Sequence, residues 1–190
     1  MFFNLVTFNF ISMKYLFLIL CCVSLSGCQR LYNCSDDNLS IELEEYTGDQ
    51  LQNQGYFFKE IENSTEESLT EVFFLFNNGI VLGSDGYDYI SVSENTIDVN
   101  QTDTALKSKA AWGVFTISES SIEIEHWRST SIGCFKTKYL KGKVLTETSF
   151  LITSIELREK GKVTRLEDVN DLYVFRILEE MPNSNNEYIP

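Results

Sequence analysis

Histidine is nearly missing from this chain, with one, His126, among 190 residues. A serine-type triad would therefore have a single possible base, and no cluster of Cys and His has the spacing of a zinc site. Basic residues are scarce as well, 15 Lys and Arg against 28 Asp and Glu, for a formal charge of −13. Phosphate backbones call for clustered Lys and Arg, so the balance argues against nucleic acid as a partner. It argues equally against electrostatic attachment to anionic lipid. The ten glycines form no phosphate cradle. Neither Asp85-Gly86-Tyr87-Asp88 nor Glu167-Asp168-Val169-Asn170-Asp171 follows a calcium-loop pattern, and both read as turns. No metal and no cofactor is expected. The carboxylates of Glu123 and Glu125 stand two apart on one strand face, about 7 Å in spacing, and read as solvated charges rather than a glycosidic acid/base pair. An enzyme is not expected.

A spanning helix is missing too. The apolar run at residues 15–25 is far short of the ~20 residues such a helix needs. Behind Lys14 it reads instead as the short apolar core of a secretory signal. Residues 1–12 carry no basic residue, so Met13-Lys14 reads as the start of the signal proper. The run ends in Leu25-Ser26-Gly27-Cys28, which resembles the lipobox of bacterial lipoproteins. That resemblance implies cleavage before Cys28, a diacylglycerol on its thiol, and a membrane partner held through the acyl anchor. One acyl chain binds only marginally, at ~0.8 kcal/mol per methylene, and the two or three chains of such proteins hold stably. Residue 29 is Gln rather than Asp, compatible with an outer-membrane lipoprotein on the periplasmic or cell-surface face. Cys21 and Cys22 leave with the signal and Cys28 becomes a thioether, so Cys34 and Cys134 remain. In an oxidising compartment they are a candidate disulfide worth up to ~4–5 kcal/mol by chain entropy, with two separate buried thiols as the alternative.

The organisation that follows is a signal peptide at 1–27, a lipidated N-terminus and tether at 28–54, a β domain at 55–178 and an exposed tail at 179–190. Within 28–54, residues 39–46 offer at most a short amphipathic element. From Gly55 the pattern is β throughout. Residues 72–76, Val-Phe-Phe-Leu-Phe, form an apolar strand, and Asn77-Asn78-Gly79 supplies the positive-φ positions of a tight hairpin into 80–82. A short strand is expected at 87–92, then a long polar loop at 93–110. Residues 112–118 and 122–127 form the best-patterned pair. Phe115 and Ile117 share one face of the first strand, while Ile122, Ile124 and His126 face away from Glu123 and Glu125 on the second. Lys141-Gly142-Lys143 and Lys160-Gly161-Lys162 predict two more hairpins, and residues 172–178 a last strand. About eight or nine short strands joined by tight turns favour an antiparallel up-and-down barrel, with a two-sheet β-sandwich as the alternative.

Three stretches, Phe73-Phe74-Leu75-Phe76-Asn77-Asn78-Gly79, Trp112-Gly113-Val114-Phe115-Thr116-Ile117 and Ile122-Glu123-Ile124-Glu125-His126-Trp127, resemble small lipoproteins with a lipocalin-like β-barrel, of the Bacteroidetes-type envelope. The resemblance covers residues 55–178 and implies a barrel with an apolar cavity. Gly55 is followed by Tyr56 and Phe57, a departure from the Gly-x-Trp of lipocalins. Aromatic residues carry the binding potential: Trp112, Trp127, Tyr87, Tyr89 and Phe135 are candidates for a cavity mouth. Arg128 beside Trp127 is placed to orient an acidic or sugar group, and His126 is the candidate polar residue among them. The expected function is a lipid-anchored envelope barrel binding a small apolar or glycan-like ligand without catalysis. The alternative is a structural accessory that docks another envelope protein.

Overall fold

Strands whose alternate side chains are apolar need a surface to bury on each face that carries them. The computed structural model describes residues 34–59, 71–84, 92–93, 96–97 and 106–190. They contain β1 (Gly55–Lys59), β2 (Glu71–Leu75), β3 (Ile80–Ser84), β4 (Val92–Ser93), β5 (Thr96–Ile97), β6 (Trp112–Ser118), β7 (Ser121–Ser129), β8 (Phe135–Thr146), β9 (Ser149–Glu159) and β10 (Lys162–Ile177). Eight strands close into an antiparallel up-and-down barrel, in the order β1-β10-β9-β8-β7-β6-β3-β2, while β4 pairs only with β5. The expected barrel is the fold, and the sandwich is set aside.

The hairpin at residues 77–79 forms as its sequence dictates, with Gly79 at φ +78°. Lys160 and Gly161, both at positive φ, make the tight turn between β9 and β10. Gly142 does not turn. β8 runs straight through it, and the reversal comes at Glu147-Thr148. Gly142 sits opposite Ile122 and Ile152, and a Cβ there would meet the backbone of Leu151, so the glycine serves close approach between strands. The residues read as a turn at 167–171 likewise lie within β10, at a bulge between Asp168 and Asp171. That bulge joins two expected strands into one.

Residues opposite one another in an antiparallel ladder share a face, which sorts the side chains into two layers. The inner layer holds Phe57, Phe73, Val81, Phe115, Ile122, Ile124, Leu140, Phe150, Ile152 and Tyr173, each 0–1% exposed. Phe150 stacks on Tyr173 at 4.9 Å, and Phe57 lies 5.0 Å from Phe150 and 5.3 Å from Phe175. An eight-stranded bore is just wide enough for side chains to fill, and these rings fill its middle. The outer layer, with Tyr56, Val72, Phe74, Leu82, Trp112, Val114 and Trp127, is buried as well.

What buries that outer layer is the chain on either side of the strands. Leu39 and Ile41 precede β1, while Leu178, Met181, Tyr188 and Ile189 follow β10; all pack against the outer cluster. Residues 36–54 and 179–190 were expected as tether and exposed tail, yet residues 36–190 form one compact unit. The apolar outer face supplies the reason: strands as apolar on the outside as β2 need a cover. No helix or strand forms at 39–46; the segment is an irregular strap. It then crosses one end of the barrel, where Tyr46 lies 5.6 Å from Phe115 and Leu51 joins the inner layer.

Candidate functional site

The sequence places charged residues on the inward face of the barrel, each two positions from a core ring or leucine. Glu71 and Lys59 lie opposite each other on β2 and β1, in phase with Phe73 and Phe57. Lys138 is two residues before Leu140 on β8, and Asp171 two before Tyr173 on β10. All four gather where β1 ends and β2 begins. Lys59 Nζ lies 2.6 Å from Asp171 and Lys138 Nζ 3.1 Å from Glu71. The buried Tyr173 hydroxyl donates a 2.6 Å hydrogen bond to Glu71. In the closed strand order β2 and β8 are four places apart in a ring of eight, so the Glu71–Lys138 pair reaches across the bore. The result is a string of alternating charge, Asp171, Lys59, Glu71, Lys138, above the aromatic floor of Phe73 and Tyr173. Its side chains are 13–28% exposed, neither sealed nor solvated.

His126 belongs to the same inward row, opposite Lys138. Its ring is 3% exposed and edge-on to Phe73 at 6.1 Å. Nδ1 lies 3.1 Å from the Trp127 carbonyl oxygen, which accepts the proton that nitrogen carries. Trp127 points the other way, to the outer face with Glu123 and Glu125. It is 5% exposed under the strap, and its Nε1 donates 2.8 Å to the carbonyl of Asp37. Lys109 covers the ring at 4.7 Å and also lies 5.4 Å from the Phe135 ring. Trp112 is fully buried on the outer face and donates from Nε1 to the Leu106 carbonyl at 3.0 Å. Arg128 reaches Glu159 at 3.5 Å. Of the residues expected at a cavity mouth, Trp112, Trp127 and Phe135 thus gather on the outer face of the sheet, and His126 turns inward. Tyr87 and Tyr89 lie outside the described residues, as do Cys28 and the signal segment.

Glu125 is the second departure. Far from a solvated face charge, it is 1% exposed. Its Oε2 accepts hydrogen bonds from the Ser40 amide at 2.5 Å, the Ser40 hydroxyl at 2.8 Å and the Ile41 amide at 3.0 Å. It therefore anchors the strap. Asp37 does the same higher up, accepting from Lys136 Nζ at 3.1 Å and the Lys160 amide at 2.5 Å. Gly79 is required where the strap passes, because a Cβ there would collide with the Glu44 carbonyl. Beside them on the outer face, Tyr139 donates 2.8 Å to Glu123 and carries the Arg158 guanidinium 3.8 Å above its ring. Burial and the bond to Glu123 push the Tyr139 hydroxyl well above its ordinary pKa. Burial alone would raise the Glu156 carboxyl, but Arg158 and Lys141 outweigh it and hold Glu156 below its usual value.

Cys34 and Cys134 are both disulfide-bonded, as expected of the pair. Among the described residues no group of three or more His, Cys, Asp or Glu could hold a metal ion. An open groove of about 550 Å³ lies at the other end of β2, lined by Glu45, Tyr46, Thr47, Asn53, Asn77 and Asn78. Its amides are partly spent already, Asn53 donating to Asn77 and Asn78 to the Ser184 hydroxyl. No protein-family model, no curated relative and no solved structure matches the chain.

Proposed function

We propose that this chain is a lipid-anchored envelope barrel, resembling the lipocalin-like lipoproteins, that holds a small ligand at its inner mouth without catalysis. The observation that carries this reading is the charged string inside the bore. A buried ion pair is often no better for stability than apolar side chains of the same volume, so the fold alone gives no reason to keep four charges there. The filled middle of the barrel favours a small polar ligand at the mouth over a long apolar one in the bore. The anchor draws its support from Leu25-Ser26-Gly27-Cys28, and Gln29 in place of Asp is compatible with the outer membrane, on its periplasmic or cell-surface face. Replacing Cys28→Ala is expected to move the protein from the membrane to the soluble fraction; full membrane retention would sink the anchor. The ligand is tested by native mass spectrometry of the lipidated protein extracted from its own envelope. A small molecule lost on denaturation supports the reading, and a bare mass at several detergent concentrations counts against it.

A second reading, docking of another envelope protein, draws on the outward side of β10. Leu166, Leu172 and Val174 are 62%, 46% and 40% exposed there. Crosslinking in intact cells that captures one defined partner along β10 would favour it, and loss of the crosslink in a Leu166→Lys variant would place the contact.

A further inference from the structure

We infer that the groove at the other end of β2 is a second binding site, shaped for a neutral sugar. The strap at residues 45–48 and the hairpin at Asn77 and Asn78 line it, together with Asn53. It is separate from the inner mouth, which lies at the Glu71 end of the same strand, and it holds whether or not that mouth is occupied. At about 550 Å³ it falls in the size range of small-molecule sites. Its walls come from distant parts of the chain and are fixed in advance. The Tyr46 amide donates to the Asn77 carbonyl at 2.7 Å, and the Gln52 amide to the Glu147 carbonyl at 2.8 Å. The Tyr46 ring packs on Phe115 at 5.6 Å, and its hydroxyl accepts from the Leu51 amide at 2.8 Å. Walls held this way lose little freedom when a ligand arrives.

The turn does not account for the asparagines. Of the hairpin residues only Gly79 has positive φ, so the backbone requires neither Asn77 nor Asn78. Asn78 is spent nearby, accepting from the Ile80 amide at 3.4 Å and donating to the Ser184 hydroxyl at 3.2 Å. Asn77 serves no such local bond: its Oδ1 accepts from Nδ2 of Asn53, 24 residues away. That leaves Asn77 Nδ2 as a donor and Asn53 Oδ1 as an acceptor, with the Thr47 hydroxyl and the Glu45 carboxylate lining the same groove. None of these four groups has a protein partner among the described residues.

Their chemistry selects the ligand. Among the described residues that line the groove none is Lys, Arg or His, and Glu45 repels a carboxylate or phosphate, so anions are excluded. Tyr46 is the one large ring or apolar side chain among them, too little surface for a lipid chain. A peptide would bring side chains that ask for apolar pockets, which this lining lacks. A hydroxyl both donates and accepts, so neighbouring hydroxyls match an amide donor beside an amide acceptor. A pyranose carries such hydroxyls around its ring, and its C–H groups have Tyr46 to pack against.

The test is saturation-transfer NMR on the full-length protein in a sugar-free detergent. The probes are the methyl glycosides of glucose, galactose, mannose and N-acetylglucosamine, with glucuronate and triglycine as acidic and peptide controls. At least one neutral glycoside should receive saturation and titrate to a Kd, while glucuronate and triglycine should not bind. Asn77→Ala keeps the backbone bonds of the turn and should raise that Kd about two- to tenfold, the worth of one hydrogen bond. Asn53→Ala should act in the same direction. Glu45→Lys turns the repelling charge into an attracting one and should admit glucuronate. Asn77 and Glu45 are both exposed, so these variants leave the core untouched. The inference is overturned where no glycoside binds, or where glucuronate or triglycine binds the unaltered protein as well as the glycosides do. A Kd unmoved by both asparagine variants, with glucuronate still refused by Glu45→Lys, puts the sugar elsewhere and overturns the groove as its site.

Discussion

Removing Lys138 isolates the cost of the ion pair across the bore. In Lys138→Met the apolar stem is kept and Glu71 loses a cation at 3.1 Å. Breaking a buried pair costs roughly 3–5 kcal/mol. Both side chains retain 13–14% exposure and Lys59 stands opposite Glu71, so the cost falls below that range, to about 2–3 kcal/mol. For a chain of this length that is a fall of about 5–10 °C in the midpoint. Glu71→Gln keeps an acceptor for Tyr173 but removes the carboxylate 3.1 Å from Lys138, and should cost a similar amount. The double variant removes both charges and should lie within about 1 kcal/mol of wild type. The assay is urea unfolding with the disulfide intact, followed by the fluorescence of Trp112 and Trp127, both buried in the native protein. The double-mutant cycle then yields a coupling of about 2 kcal/mol or more. A single variant within 0.5 kcal/mol of wild type (about the error of such a cycle) would refute the reasoning. So would a double variant whose loss equals the sum of the two singles.

The strap can be tested separately: Glu125→Ala should cost about 2–4 kcal/mol and speed hydrogen exchange at the Ser40 and Ile41 amides, and unchanged exchange there would rule out the anchor. Replacing Cys134→Ser should lower stability by roughly 2–5 kcal/mol. Peptide mapping without reductant should join Cys34 to Cys134, and two alkylatable thiols would contradict the bridge. Acid and alkali should act on opposite sides. Asp36, held low by its bond to Lys109 and by the Phe135 amide, and Glu156, held low by Arg158 and Lys141 against the pull of burial, have depressed folded values. Their stabilisation is present above their ordinary values of 3.8 and 4.5 and fades as the pH falls through the folded ones. Tyr139, raised by burial and Glu123, contributes below its ordinary 10.0 and loses that contribution as the pH climbs toward its folded value. Urea midpoints across the pH range would show both limbs, and a Glu156→Gln variant with an unaltered acid limb would remove Glu156 from the account.

The sequence by itself determined the class of fold and much of the strand phase. The alternation at residues 122–126 placed Ile122, Ile124 and His126 on one face, and they are inward together. The turns at Gly79 and Gly161 were legible because positive φ is a local demand that glycine meets. The disulfide followed from counting cysteines. Lys141-Gly142-Lys143 misled, since the same glycine that suits a turn also suits a crowded strand. Phase also placed Glu71, Lys138 and Asp171 inward, each two residues from a core position, a signal visible in the chain once the barrel is known to close. What only the tertiary structure decided is which distant residues meet. Closure sets β2 against β8 and brings Glu71 to Lys138, 67 residues on, through a bore whose width no local pattern encodes. The strap and the C-terminal segment are likewise tertiary, because whether an outer face is wet depends on what folds over it. That is why Trp127 and Glu125, which share the outward phase, are nevertheless buried. Periodicity is set by neighbours along the chain, whereas burial and ion pairing are set by neighbours across the barrel.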